Sequence, residues 1–414
     1  MTRTLTLIAG AALGLNGASA QTDSDRAYAA ELRADAANRT SLLQAGTAGH
    51  DGNFFISDGT GNFRLNIAGN IQFQYNLNFR DDDAGAGNDD DDFTNGFELN
   101  RTTLDFFGNV ITPDTFFKIR GEFSEVDGDG ESGGGQGTFE LEDAFIKHHF
   151  NDNWYGIAGQ IRVPMLWEEF GVDNQFQLAA ERSLTNEVFN AGYSQGIGLG
   201  YRDDTIGFIV AFDDGAQTNN TTFFGANNEA DYAITGRFDW KIQGDWTQFE
   251  DFTSFRNTEG VAARIGAGVH WQENGDTGAF SGSTPASTAD FGLLLYTVDA
   301  QIEGPGWNLF GAFIGRYIDF DGVTGVGGEE EANDFGFVVQ GGFFVADQVE
   351  LFARYDGVFP DDDFYAADED FQTLTFGGNY YITSNSHAAK FTTDVQIFLD
   401  ETTDSALVNG GGVG

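Results

Sequence analysis

The sequence predicts an all-β fold, a 16-stranded antiparallel transmembrane β-barrel with about 15 strands visible in this chain and one short N-terminal helix. Three observations predict it. The apolar and polar residues alternate with period two over runs of ten to fifteen residues. The links between those runs alternate between long and short. The chain also opens with the pattern of an exported protein: Arg3, an apolar stretch from Leu5 to Leu15, and Ala18-Ser19-Ala20 before Gln21. Residues 1–20 therefore read as a signal peptide, whose removal takes away a single basic residue, Arg3.

Residues 25–45 are rich in Ala, Leu, Glu and Arg and carry neither Gly nor Pro, with Tyr28, Leu32 and Ala36 four apart. This predicts the one helix, within a segment at 21–49 that acts as a periplasmic helix or as a tether. From residue 50 to 400 the period-two pattern dominates, and residues 401–414 read as the start of a last loop. The expected strands lie at about 63–79, 97–109, 115–125, 138–150, 153–162, 194–203, 204–213, 229–242, 259–272, 290–303, 306–320, 332–345, 348–357, 370–382 and 387–400. They are longer than the five or six residues usual in a soluble sandwich and match the roughly 9–11 that a tilted strand needs to cross a bilayer. Single-chain bacterial barrels close with an even number of strands. An odd count of fifteen leaves two readings, a chain truncated before its closing strand, which is preferred, or a count short by one strand.

Between these strands the links run long, short, long, short in turn, with one exception: residues 243–258 are long where a short turn is due. The longest is 163–193. A transmembrane barrel has short periplasmic turns at one end and long outer loops at the other, in strict alternation.

Composition narrows the function. The chain of 414 residues has 20 Lys+Arg against 65 Asp+Glu, a net charge of −45, and no Cys. That excludes a disulfide scaffold, a thiol enzyme and a zinc ribbon, and so acidic a chain repels nucleic acid. Its 42 Phe, 12 Tyr and 6 Trp are too many for a disordered acidic tail. Within strands the rings share one face, as in Tyr232, Ile234, Phe238 and Trp240 against Thr235, Arg237, Asp239 and Lys241. The basic residues fall on the opposite, polar faces or at their ends: Arg101, Lys118, Arg120, Lys147, Arg162, Arg202, Arg237, Lys241, Arg264, Arg316, Arg354 and Lys390. The acidic runs, Asp81 to Asp83, Asp89 to Asp92, Glu329 to Glu331, Asp361 to Asp363 and Asp368 to Asp370, fall in the long links. The lumen-facing cations either attract anions or pair with lumen acids such as Glu122, Asp239 and Glu350.

Other motifs carry less. Gly192-Tyr193-Ser194-Gln195-Gly196 has the spacing of a hydrolase elbow, but a strand follows it where that chemistry needs a helix. Gly128-x-Gly130-x-x-Gly133 sits among Asp127, Asp129 and Glu131, which repel a pyrophosphate. The same acids and the Asp runs are hard oxygen ligands suited to Ca²⁺, yet lack EF-hand spacing. His148 and His149 point to opposite faces of a strand. No catalytic centre, cofactor or metal site is assigned.

The stretch from Glu98 to Glu122, followed by Leu141 to Phe145 (LEDAF), Gly159 to Pro164 (GQIRVP) and Glu181-Arg182-Ser183, resembles the phosphate-selective porin O and P family over roughly residues 50–400. The resemblance implies a bacterial outer-membrane porin, not an enzyme. It is a 16-stranded barrel in outer-membrane lipid, commonly a homotrimer, that passes small ions or solutes such as phosphate. It further implies a long loop folded inward to narrow the pore, here 163–193, with Arg162, Glu168, Glu169 and Arg182 near the constriction. The competing class is a secreted acidic protein, a Ca²⁺-stabilised all-β binding or adhesion module. The two part on where the aromatic rings go: outward on a barrel, or interleaved between two stacked sheets.

Overall fold

The computed structural model describes residues 48–79, 93–124, 138–218, 220–221, 229–258, 260–273, 291–321, 324–365 and 370–400. Two short strands, β1 (Ala48–His50) and β2 (Phe54–Ser57), precede the long ones. These are β3 (Arg64–Phe79), β4 (Phe93–Asn109), β5 (Thr115–Ser124), β6 (Thr138–His149), β7 (Trp154–Arg162), β8 (Tyr193–Arg202) and β9 (Ile206–Asp213). They continue as β10 (Tyr232–Gln243), β11 (Ala262–Glu273), β12 (Phe291–Gly304), β13 (Trp307–Phe320), β14 (Glu331–Ala346), β15 (Val349–Phe359), β16 (Phe371–Tyr381) and β17 (Lys390–Phe398). Each pairs antiparallel with the next in the chain, so a single sheet of 17 strands runs as one up-and-down meander.

The fifteen strands expected from sequence correspond one to one to β3 through β17. The sequence reading passed over β1 and β2, whose three and four residues are too short to show a period. An unread strand therefore lies on the N-terminal side, where β2 pairs with β3. The signal peptide, most of the segment at 21–49 and the tail at 401–414 lie outside the described residues, as do the glycine motif at 128–133 and the Asp runs at 81–92. Residues 48–49, assigned from sequence to the tether, begin β1.

The short turns follow from local chemistry. At Pro305-Gly306 the glycine adopts φ 82°, the left-handed geometry that the second central position of a type II turn requires after a proline. At 203–205 the Asp203 carboxylate accepts from the amides of Thr205 (2.7 Å) and Ile206 (2.8 Å), closing the turn without a glycine.

The rings settle the architecture. Phe123, Ile146, Phe212, Phe238, Trp240, Trp271, Phe313, Leu351 and Phe376 are exposed on one face of the sheet. They do not interleave with a second sheet. Without lipid, so large an apolar surface has no soluble equivalent. The other face curls round the segment 163–193. The amide of Ala180 donates to Asp394 on β17 (2.8 Å) while its carbonyl accepts from Gln72 on β3 (2.9 Å), so the two ends of the meander meet on one residue. No helix of the described residues is long and apolar enough to cross a membrane; the strands do so.

The enclosed face departs from expectation in one half. The sequence implied water against the polar side of every strand. Along β11 to β16 that side instead packs dry. Leu293, Leu295, Phe310, Ile314, Val338 and Phe352 are buried against Val163, Leu166, Trp167, Leu178, Leu184 and Phe189 of the inserted segment. Two short helices shape that segment: α1 (Trp167–Phe170) and α2 (Leu184–Phe189), the latter capped by the Ser183 hydroxyl on the Asn186 amide (3.0 Å). The odd long turn, 244–258, explains itself here. It folds inward from the other end, burying Phe249 and Phe252 beside Trp167 and Phe310, and the Phe252 amide donates to the Phe176 carbonyl.

Candidate functional site

The barrel interior is built from three parts: the inserted loop, the inserted turn and the wall they leave uncovered. The loop starts where β7 ends. Gly159 holds φ 127°, where an added Cβ would collide with the Ala144 carbonyl; pairing with β6 ends at Gln160, while Ile161 and Arg162 stay paired with Ser194 and Tyr193 of β8. Arg162 then donates to Asp173 (2.9 Å), to the Glu169 carbonyl (2.9 Å) and to the Tyr193 hydroxyl (2.7 Å). Asp173 is shared: Arg120 on β5 reaches it at 3.1 Å while holding Asp105 on β4 at 2.6 Å. Burial alone would raise the Asp173 carboxyl, but Arg162 and Arg120 hold it well below the usual carboxylate range. This Asp105–Arg120–Asp173–Arg162 chain ties the loop to the β4–β5 wall.

The other constriction residues expected from sequence, Glu168, Glu169 and Arg182, turn into the body of the loop. Glu168 accepts from the Ser183 amide (2.7 Å) and hydroxyl (2.6 Å). Glu169 pairs with Arg182 (3.0 Å) and accepts from Asn186 (3.1 Å). Arg182 also donates to the Glu168 carbonyl (3.2 Å) and the Val172 carbonyl (3.1 Å). All three are buried, and they brace the loop.

The remaining basic residues divide by partner. Arg101 pairs with Glu181 (2.7 Å), which also accepts from Asn100, and Lys118 pairs with Asp143 (2.6 Å). Arg237 and Arg264 share Asp239 and Asp299, with the Arg264 guanidinium 3.6 Å from the centre of the Trp167 ring and every charged side chain of the cluster buried. Arg316 pairs with Asp334 (2.7 Å). Arg354 donates to the Glu181 carbonyl (2.8 Å), and Lys390 to the Gln177 carbonyl (2.6 Å). Lys147 lies 4.6 Å over the Tyr155 ring, while Arg202 (5.0 Å) and Lys241 (5.4 Å) lie over Trp246. Among the described residues no carboxylate comes within 4.0 Å of these last three.

Charge is unevenly spread along the uncovered wall. On the long-loop side of Arg120 stand Glu98, Glu122, Glu140 and Glu142, with Arg101 among them; on the short-turn side stand Lys118, Lys147, Arg202 and Lys241. Sequence reasoning missed Asp173, Glu181, Asp299, Trp167 and Trp246. The anomalous length of 243–258 was the signal for Trp246, since a turn too long for its place must go somewhere. Asp173 and Trp167 had no local signal, because their partners lie on distant strands.

Ser194 is buried on β8 with its hydroxyl against Thr218 (2.8 Å), in a strand as its neighbours predicted. Asp361, Asp362 and Asp363 bring carboxylate oxygens within 4.8 Å of one another, and Asp361 is engaged by the Asn333 amide.

A single meander with rings outside and ion-paired loops within is the architecture of an outer-membrane β-barrel pore. The chain belongs to the phosphate-selective porin O and P family, whose model matches residues 71–289, just over half of its length. It is a bacterial outer-membrane porin, a channel that passes small solutes. Among solved structures it is similar to OmpF of Salmonella typhi, determined in complex with daunomycin: 14% identity, 85% of this chain, 95% of that one and TM-score 0.55. It is also similar to a loop L8 deletion mutant of OmpT, an outer membrane protein of Vibrio cholerae (14% identity, 80% and 94%, TM-score 0.47), and to OprB of Pseudomonas putida (12%, 87% and 91%, 0.46). No curated protein matches the chain. The OmpF likeness supports the barrel fold.

Proposed function

We propose that the protein is a trimeric diffusion pore whose open path runs beside β3 to β9 and whose preference for anions, phosphate among them, is set in its short-turn half. Solutes move down their gradient with no covalent step. One observation supports the anion preference above the rest. Nine of the twelve inward basic residues are held by carboxylates or by backbone carbonyls of the loop, whereas Lys147, Arg202 and Lys241 keep their charge for the lumen. In a narrow, low-dielectric passage an unpaired cation raises the local concentration of anions, and a paired one does not. The short turns then face the periplasm, as the family arrangement implies.

The test is conductance across a planar bilayer with a KCl gradient. Expected are discrete channels with a reversal potential on the anion side, which the triple change Lys147→Gln, Arg202→Gln, Lys241→Gln moves toward cations. A reversal potential unmoved by that change would remove the assignment. Unheated gel mobility reads the trimer.

A further inference from the structure

The three cations left free for the lumen share one more property: each lies on an aromatic ring, and each ring lies on a glycine. Tyr155 occupies the space above Gly200, where a Cβ would run into its ring, and Arg202 is two residues further along the same face of β8. Trp246 and Arg202 both lie over Gly207 of β9. Lys241 flanks Trp246 from β10, and Lys147 flanks Tyr155 from β6. From β6 to β10 the wall therefore carries a continuous band, Lys147, Tyr155, Arg202, Trp246, Lys241, in which cation and ring alternate. None of the eleven N–H donors that three such side chains carry has a hydrogen-bond partner among the described residues, and Arg202 is exposed to the lumen. The acids near the band among the described residues include Asp203, which feels Lys241, and Glu250 of the inserted turn, whose carboxyl burial raises above the usual range against the pull of Arg202.

We propose that this band is a binding ledge for aromatic carboxylates. The inference deepens the diffusion-pore reading and rests on it. The carboxylate takes the unmet guanidinium and ammonium donors, and the ligand ring stacks on or edges against Trp246 and Tyr155, exchanging hydration for aromatic contact. A small inorganic or aliphatic anion meets the same charges and gains nothing from the rings. The ledge lies on the short-turn side of the Arg120–Asp173 tie.

The experiment is inhibition of KCl current through the intact pore by benzoate, with acetate as the comparison, added from the short-turn side. An aromatic contact of the usual strength makes benzoate about three- to tenfold more effective than acetate. Trp246→Leu with Tyr155→Leu abolishes that difference while leaving the reversal potential on the anion side; Lys147→Gln with Arg202→Gln weakens both anions. Benzoate and acetate equal in the unchanged protein, or a difference that survives the two Leu changes, overturns the ledge and leaves the pore standing. Absence of any KCl conductance overturns the pore itself. Titration calorimetry of benzoate into the unchanged and Lys147→Gln, Arg202→Gln proteins in detergent reads the same site without current: binding lost in the variant supports it, and binding retained overturns it.

Discussion

The two halves of the wall use the same alphabet to opposite ends. Along β10 to β16 arginines meet aspartates in a dry interior: Arg237, Arg264 and Asp299 have no solvent exposure at their side chains. Along β4 to β6 the Arg120–Asp105 pair is also buried, but Lys118 and Arg101 are wetter, at 21% and 17%. A buried pair is costly to break because the partner left behind keeps its charge without water, whereas a hydrated one is screened. The lesson is that a lumen-facing Arg is not by itself a selectivity element. What it faces decides whether it holds a loop or a solute.

The sharpest break of that comparison is Asp299→Ala against Asp143→Ala. The first strands Arg237 and Arg264 and costs about 3–5 kcal/mol; the second frees a part-exposed lysine and costs roughly 1 kcal/mol or less. Denaturation midpoints in detergent measure both, and equal losses would erase the distinction between the halves. Next comes Trp167→Ala, which removes the ring between Arg264 and the Phe249 carbonyl. It costs about 3 kcal/mol, and the loosened loop raises single-channel conductance.

Arg120→Gln follows. It unties Asp173 and leaves Asp105 uncompensated, so the current becomes larger and more cation-selective, with a smaller shift in the same direction for Lys118→Gln. Acidification has a gentler effect. Burial makes Glu250 protonate at a higher pH than an ordinary glutamate, so on acidification Arg202 loses this opposing charge early and anion preference rises; Glu250→Gln removes that pH dependence. Smallest of all, Lys147→Gln, Arg202→Gln and Lys241→Gln singly lower stability by less than about 1 kcal/mol, the scale of an exposed cation–ring contact.

Much of the fold was legible because a bilayer writes on every strand. Period, length and link alternation give β3 to β17 within a few residues, since each is a local pattern repeated under one constraint. The outward rings were legible for the same reason. The contents of the barrel were not. Leu293 and Ile314 sit on the same face as Arg316 and Asp299, and nothing in their strands says that Leu166 or Phe189 will cover them. The twelve basic residues were assigned to polar faces by period alone, and some of their partners, Asp173, Glu181 and the Gln177 carbonyl, come from a segment that no periodicity places. Glu168 and Glu169 illustrate the limit: they lie in the long link between β7 and β8, and nothing in the sequence gives the direction in which their carboxylates turn.

Ala180 binds the first long strand through its carbonyl and the last through its amide, across sequence separations of 108 and 214 residues. The bond to Asp394 belongs to the latest events in biogenesis, because it cannot form until the C-terminal strand arrives. The seam of the cylinder is therefore fastened from inside, over cargo already stowed, and an assembly intermediate stalled before that moment would be wider and leakier than the finished pore.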